Sequence, residues 1–281
     1  MNQMRPLNPF NNVVAAGIAN CDLNSLLGYT LEGLHLSLGG GAFTKAMITL
    51  MQLKANGKVI WESDGSKCDA LELFKGYTTA DATKLSINFM ELRARTPNSF
   101  QSGALCLAPD CGIVNLRLEV TIAGATTPTL SGLATISPGL PVKGEEGIRK
   151  LMVRRHRNQQ TIGAAGLQAI QVPHFEPSGG GSVFKRIALF SANCTGLKIQ
   201  REGITEYEVT KAENEWIQKQ NNRVPQANLV VLDAILDNMQ DQRVLDTRPV
   251  TGVRSAQFYG TFSAGETITI ETEEVLTLGD Y

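Results

Sequence analysis

The stretch KIQREGITEYEVTKAENEWIQKQ, Lys198 to Gln220, reads as strand, tight turn, strand and helix. The same order stands earlier in QLKANGKVIWESDGSKCDALELFKGY, Gln52 to Tyr77. Placing Gly57 on Gly203, an offset of 203 minus 57, or 146, puts Leu53 on Ile199, Trp61 on Tyr207, Glu62 on Glu208 and Asp64 on Thr210. An apolar strand precedes the turn in both stretches, an aromatic–Glu pair ends the second strand, and a short polar helix and a further strand follow. Chance likeness of two hairpins is the alternative. The shared order predicts an internal duplication.

Outside these stretches, period-2 alternation dominates. In LRLEVTI, Leu116, Leu118, Val120 and Ile122 share one face, while Arg117, Glu119 and Thr121 share the other. KLSINFMEL from Lys84, LEGLHLSL from Leu31 and ETITIETEEV from Glu266 alternate in the same way. One apolar and one wet face is what antiparallel sheets packed on a single core require. Turn signals recur at Asn56-Gly57, Glu202-Gly203, Gly39-Gly40-Gly41 and Gly179-Gly180-Gly181, and many short strands so punctuated predict a sandwich or barrel. Helices are expected over Asp64–Tyr77 and Thr210–Asn221. Thr210 stands as N-cap with Glu213 three residues on, a capping-box spacing. After the apolar run from Leu229, Asp233, Asp237 and Asp241 recur every four residues and predict a helical turn or two with an acidic stripe. ISPGLPVKGEEG, Ile136 to Gly147, has no periodicity and reads as a linker.

Composition narrows the function. Hydrophobic residues make up 42% and charged residues 19% of 281, a folded globular composition. A net charge of −1 gives no global attraction to nucleic acid, so no specific nucleic-acid binding is expected. The N-terminus has no secretory pattern and no apolar run reaches membrane-spanning length, which predicts synthesis in a cytosol. The five cysteines form no CxxC and read as buried free thiols, with Cys106 and Cys111 close enough in CLAPDC to meet. His35, His156 and His174 are the three histidines, and none belongs to a catalytic signature. The glycine triplets lack the Gly-Lys-Ser/Thr or GxGxxG context of phosphate cradles.

Tandem sandwiches with a short helix in the same connection resemble the double jelly-roll major capsid proteins of tailless icosahedral viruses, above all the corticovirus type. The likeness rests on Asn12-Val13-Val14-Ala15-Ala16-Gly17, on Leu151-Met152-Val153-Arg154-Arg155, and on Ile199, Glu202-Gly203, Tyr207, Lys211-Ala212-Glu213-Asn214 and Ile217 in order. It implies an all-β chain of two tandem jelly rolls with short helices in the connections: an N-terminal arm over 1–11, one jelly roll over 12–141 and another over 142–281. It also implies a structural, non-enzymatic role as a homotrimer that packs with neighbouring trimers as pseudo-hexagonal tiles over an internal membrane. Vertex penton or spike proteins and membrane proteins would be its partners. No organic cofactor is implied, and structural calcium occurs in such capsids. A tandem β-sandwich carbohydrate-binding protein or glycan hydrolase is the rival reading.

Particular side chains carry two readings each. Asp233, Asp237 and Asp241 form either a calcium site or a solvated or arginine-paired face. Arg154, Arg155 and Arg157, in a basic run from Arg149, are interface candidates that suit head-group or genome contact, or else form a wet strand face or salt bridges to a neighbouring subunit. Trp216 belongs either to the local core or to a subunit contact.

Overall fold

A computed structural model describes residues 3–94, 103–138, 151–239 and 244–277. The chain divides into two compact units. The first runs to Leu73, resumes over Tyr77–Arg154 and includes the chain from Leu276. The second takes Phe74–Gly76 and Arg155–Val275. No described helix is long and apolar enough to cross a membrane.

In the first unit the elements are β1 (Gln3–Pro6), β2 (Gly17–Asp22), β3 (Tyr29–Gly40), β4 (Ile48–Ala55), β5 (Lys58–Ser63), α1 (Gly65–Lys75), β6 (Lys84–Asn88), β7 (Leu105–Cys106), β8 (Leu116–Ile122) and β9 (Pro128–Pro138). They lie side by side in the orders β1-β9-β3-β6, with β7 also on β3, and β5-β4-β8-β2. The second unit continues with β10 (Leu151–Ile162), β11 (Gly166–Ile170), β12 (Val183–Phe190), β13 (Cys194–Arg201), β14 (Ile204–Thr210), α2 (Lys211–Gln220), β15 (Leu229–Asp233), β16 (Leu245–Asp246), β17 (Ala256–Phe262) and β18 (Glu266–Thr277). Its orders are β15-β12-β18-β10, with β16 on β12, and β11-β17-β13-β14. In each unit the first, last, third and sixth long strands lie together, as do the second, seventh, fourth and fifth. That is the arrangement of an eight-stranded jelly roll, made twice.

Each unit has its own apolar core. Leu34, Leu36, Leu53, Trp61, Ile87, Leu118 and Val120 meet in the first, and Phe175, Phe184, Ile187, Leu189, Phe258, Phe262 and Ile270 in the second. The alternating residues of the sequence supply these inner faces.

The duplication extends to backbone detail. The β4–β5 hairpin turns at Asn56 (φ 50°) and Gly57 (φ 83°), and the β13–β14 hairpin at Glu202 (φ 50°) and Gly203 (φ 75°). Two consecutive left-handed residues make the turn whose twist matches paired strands. Both hairpins slip register at equivalent positions, between Leu53 and Lys54 and between Ile199 and Gln200. Each turn is tied to the segment leading into the strand beside it, β8 or β17: Val114 N–H donates to Asn56 Oδ1 at 2.9 Å, and Ser255 N–H to Glu202 Oε1 at 2.9 Å.

Three expectations are corrected. Residues 3–6 are not a free arm. They form β1, pairing antiparallel with β9 from Gln3↔Ile136 to Pro6↔Leu133. Gln-Met-Arg-Pro gives no signal, because four residues are too few to show a period and this edge strand buries no apolar residue, only Arg5 being partly buried. The linker does not begin at Ile136, since Ile136 is fully buried and β9 runs on to Pro138; the expected seam at 142 lies outside the described residues. Asp233 ends β15 and is followed by turns, not a helical stripe, because the β15–β12 ladder holds its backbone opposite Arg186.

Candidate assembly surface and buried charge network

α2 begins as its sequence predicts: Thr210 Oγ1 accepts from Glu213 N–H, and the Glu213 carboxylate accepts from Thr210 N–H at 2.9 Å. The Thr210 N–H and, at 2.8 Å, the Thr210 hydroxyl both donate to the Glu213 carboxylate and hold it below the usual range. The face it buries is the unexpected one. Asn214 and Gln218, one turn apart, are its buried residues. Asn214 Nδ2 and Gln218 Nε2 both donate to Val231 O, at 2.9 and 2.7 Å, and Tyr207 Oη donates to Asn214 Oδ1 at 3.0 Å. β15 is an edge strand, so its carbonyl needs a donor from outside the sheet. Burial, reinforced by Asp233, pushes the Tyr207 hydroxyl up to about 12.

Trp216 therefore faces away and is 64% exposed, with Ala212 and Gln220 also exposed on the outer side. The core reading of Trp216 is overturned: helical spacing marks which residues share a face but not which face packs, and here hydrogen-bonding need outranked hydrophobicity. Ile204 and Val250, at 68% and 80% exposure, add to the apolar surface of this unit.

The basic run divides by burial along β10, not by strand parity, since Arg155 and Arg157 share a face. Arg154 and Arg157 are half-buried. Arg155 is enclosed, with Nε 2.9 Å from Glu271 Oε2 and a second, shorter contact from its Nη2. It cannot present itself to a neighbour or a lipid, so its candidacy as an interface residue is corrected. Asp233 is likewise enclosed. Arg186 Nε lies 3.1 Å from its Oδ1 and Arg223 Nε 2.6 Å from its Oδ2. Arg223 also donates to Asn238 Oδ1 at 2.7 Å and Ile235 O at 3.0 Å. The arginine-paired reading of Asp233 holds, since as a calcium ligand it would have to leave two arginines. Asp237 Oδ1 accepts from Met239 N–H at 3.1 Å, and Asp241 lies outside the described residues.

The network continues to Glu273, paired with Lys75 at 2.6 Å and Arg186 at 2.9 Å. Burial pushes the Glu273 carboxyl up, but the charges of Lys75, Arg186, Lys185 and Arg155 together outweigh it and hold the group far below the usual carboxylate range. Asp233, Glu271 and Glu273 thus meet Arg155, Arg186, Arg223 and Lys75 away from water, where charges persist only when paired.

Two thiol and histidine placements complete the picture. All five cysteines are buried, with Cys106 and Cys111 Sγ 2.8 Å apart; burial pushes the Cys21 and Cys194 thiols up to about 11. His35 is a sheet residue between Ser86 Oγ (3.0 Å) and Thr135 Oγ1 (2.9 Å), and burial outweighs the pull of Glu72 to lower its pKa. His156 and His174, passed over in the sequence, have ring centroids 5.1 Å apart beside Glu274. No local signal links them, because only the jelly-roll crossover brings β10 and β18 together.

No curated protein matches the chain in sequence. Among solved structures, the major capsid protein P2 from bacteriophage PM2 superposes with a TM-score of 0.83 at 19% identity, covering 99% of this chain and 98% of that one. The STIV MCP gives 0.69 at 12% identity, covering 99% and 97%. The PBCV-1 virus capsid protein gives 0.62 at 10% identity, covering 98% and 93%. These likenesses show the double jelly-roll fold. The family models of the viral coat protein P2 N-terminal and C-terminal domains match residues 4–137 and 152–278. Such a coat protein is a structural component of the virion capsid and not an enzyme, and nothing supports the carbohydrate-binding or hydrolase alternative. The chain belongs to the viral coat protein P2 family.

Proposed function

We propose that this coat protein assembles as a homotrimer that tiles an icosahedral shell as a pseudo-hexagonal capsomer. The observation that carries the reading is the duplication itself: two lobes of one topology, with the same hairpin and the same helix position, give three chains six similar lobes. A closed three-fold ring joins two different patches per subunit, head to tail. The outward side of α2 at Trp216 supplies one such patch, with a large aromatic of the kind that anchors interfaces. Half-buried Arg154 and Arg157 suit polar contacts with a neighbouring chain. Neighbouring trimers, a vertex protein and proteins of an underlying membrane complete the proposed partners, supported by the corticovirus-type resemblance. Structural calcium between subunits is proposed on the same basis, with no ligands assigned.

Light scattering on the purified chain tests the trimer. A mass of three times 30.4 kDa, or about 91 kDa, with six-lobed particles in negative stain is the expected outcome. A monomer at micromolar concentration would overturn it.

A further inference from the structure

Two of the chain's three histidines converge on one buried carboxylate. His156 comes from β10, His174 from the β11–β12 connection and Glu274 from β18, and candidate ligand atoms of the three all lie within 4.8 Å of one another. His174 Nδ1 is 3.5 Å from Glu274 Oε1 and 3.4 Å from Oε2. Tetrahedral zinc, with bonds of about 2.0–2.2 Å, sets its ligands roughly 3.3–3.6 Å apart. The His174–Glu274 edge already has that length, and no separation in the set exceeds 4.8 Å.

The surroundings are those of a ligand set. Glu274 Oε2 accepts from Ser182 Oγ at 2.8 Å and Oε1 from Thr272 Oγ1 at 2.9 Å, the outer hydrogen bonds that orient a ligating carboxylate. The His174 side chain is 40% exposed while that of Glu274 is fully enclosed. His174 also lines an open cavity of about 500 Å³ with Gln171, Glu176 and Gln257. The site therefore has a buried anchor and an entry path.

We propose that His156, His174 and Glu274 bind one divalent transition metal of the zinc class, with a fourth position open to water. Two imidazole nitrogens and one carboxylate suit such an ion, whereas calcium takes six to eight oxygens. The ion would join three segments distant in sequence and clamp β10 and β18 to the β11–β12 connection.

The test uses the full-length assembled protein, stripped with chelator and titrated with Zn²⁺ or Co²⁺ alone near neutral pH. Expected are saturable binding of one Zn²⁺ per chain, a rise in melting temperature with metal, and a tetrahedral Co²⁺ visible spectrum without thiolate charge transfer. His174 sits at φ 55°, a conformation asparagine tolerates, so His174→Asn preserves the backbone. It should weaken Zn²⁺ binding by more than about 100-fold, beyond the 10–100-fold cost of losing an outer-shell partner, and abolish the thermal shift. His156→Gln should do the same, and His35→Asn should change neither. Absence of one-per-chain binding, undiminished binding in both ligand variants, or a thiolate band assigning the metal to cysteines would each overturn the site.

Discussion

Asp233→Asn isolates the buried charge network. Asparagine keeps the shape of the side chain and removes its charge from between Arg186 and Arg223, whose side chains are 1% and 0% exposed. At an effective dielectric near 20, one pair of unit charges about 4 Å apart interacts by about 4 kcal/mol. Sparing the carboxylate its desolvation offsets part of the two pairs lost. Breaking a buried pair from one side typically costs about 3–5 kcal/mol. The lower end applies here, because Arg186 keeps Glu273 and Arg223 keeps Asn238 and the Ile235 carbonyl. We expect a loss of about 3 kcal/mol, which at roughly 3 °C per kcal/mol lowers the melting temperature by about 10 °C. Calorimetry on the assembled protein at fixed concentration measures this, once with excess calcium and once with chelator. The ion-pair account requires the same cost in both. A cost below about 1 kcal/mol, or one seen with calcium alone, would refute it.

Trp216→Ala should leave the unfolding free energy of dissociated chains within about 0.5 kcal/mol of wild type, as for an exposed residue, yet weaken trimer formation in sedimentation; unchanged assembly removes Trp216 from the interface. Glu273 carries a folded pKa below its unfolded value, so its stabilisation is complete above the unfolded pKa and drains away as pH falls towards the folded one. Urea midpoints should therefore drop as pH is lowered from about 5, and Glu273→Gln, though less stable throughout, should show a shallower drop. Gly57→Ala and Gly203→Ala meet no neighbouring atom within 4 Å, so each should cost only the left-handed strain of about 1–2 kcal/mol, and the two costs should match. Gly40→Ala would also place Cβ 2.0 Å from Thr127 O and should cost distinctly more in the same urea titrations.

Features set by neighbours in the chain were legible. The Asn56-Gly57 and Glu202-Gly203 turns, the Thr210–Glu213 cap and the alternating strands are decided within a few residues, and the repeated order of turn, strand and helix gave away the duplication. Features decided across the sheet were not. β1 is a strand because β9 lies beside it. Arg155 is internal because β18 offers Glu271, and Asp233 is spoken for because Arg223 folds back from the end of α2. The convergence of His156, His174 and Glu274 depends on a crossover that no local window contains.

The two copies keep one geometry with different chemistry, which indicates what the geometry is for. In the second copy Asn214 donates to Val231 O on the edge strand β15. At the equivalent helix position of the first copy, Cys68 Sγ donates to Ser86 O on the edge strand β6, at 3.6 Å. An amide and a thiol are unrelated side chains, yet both reach the central carbonyl of the same edge strand. A bare edge there would invite a neighbouring chain to add a strand, and thus open-ended growth. With the helix engaging that strand, the proposed trimer would make lateral contact at this edge through side chains on the outer helix surface, such as Trp216, where the lobes are free to differ. A shell of alternating lobes needs such an arrangement: a common frame that packs like a hexagon, and divergent outer surfaces that let each lobe recognise its own neighbour.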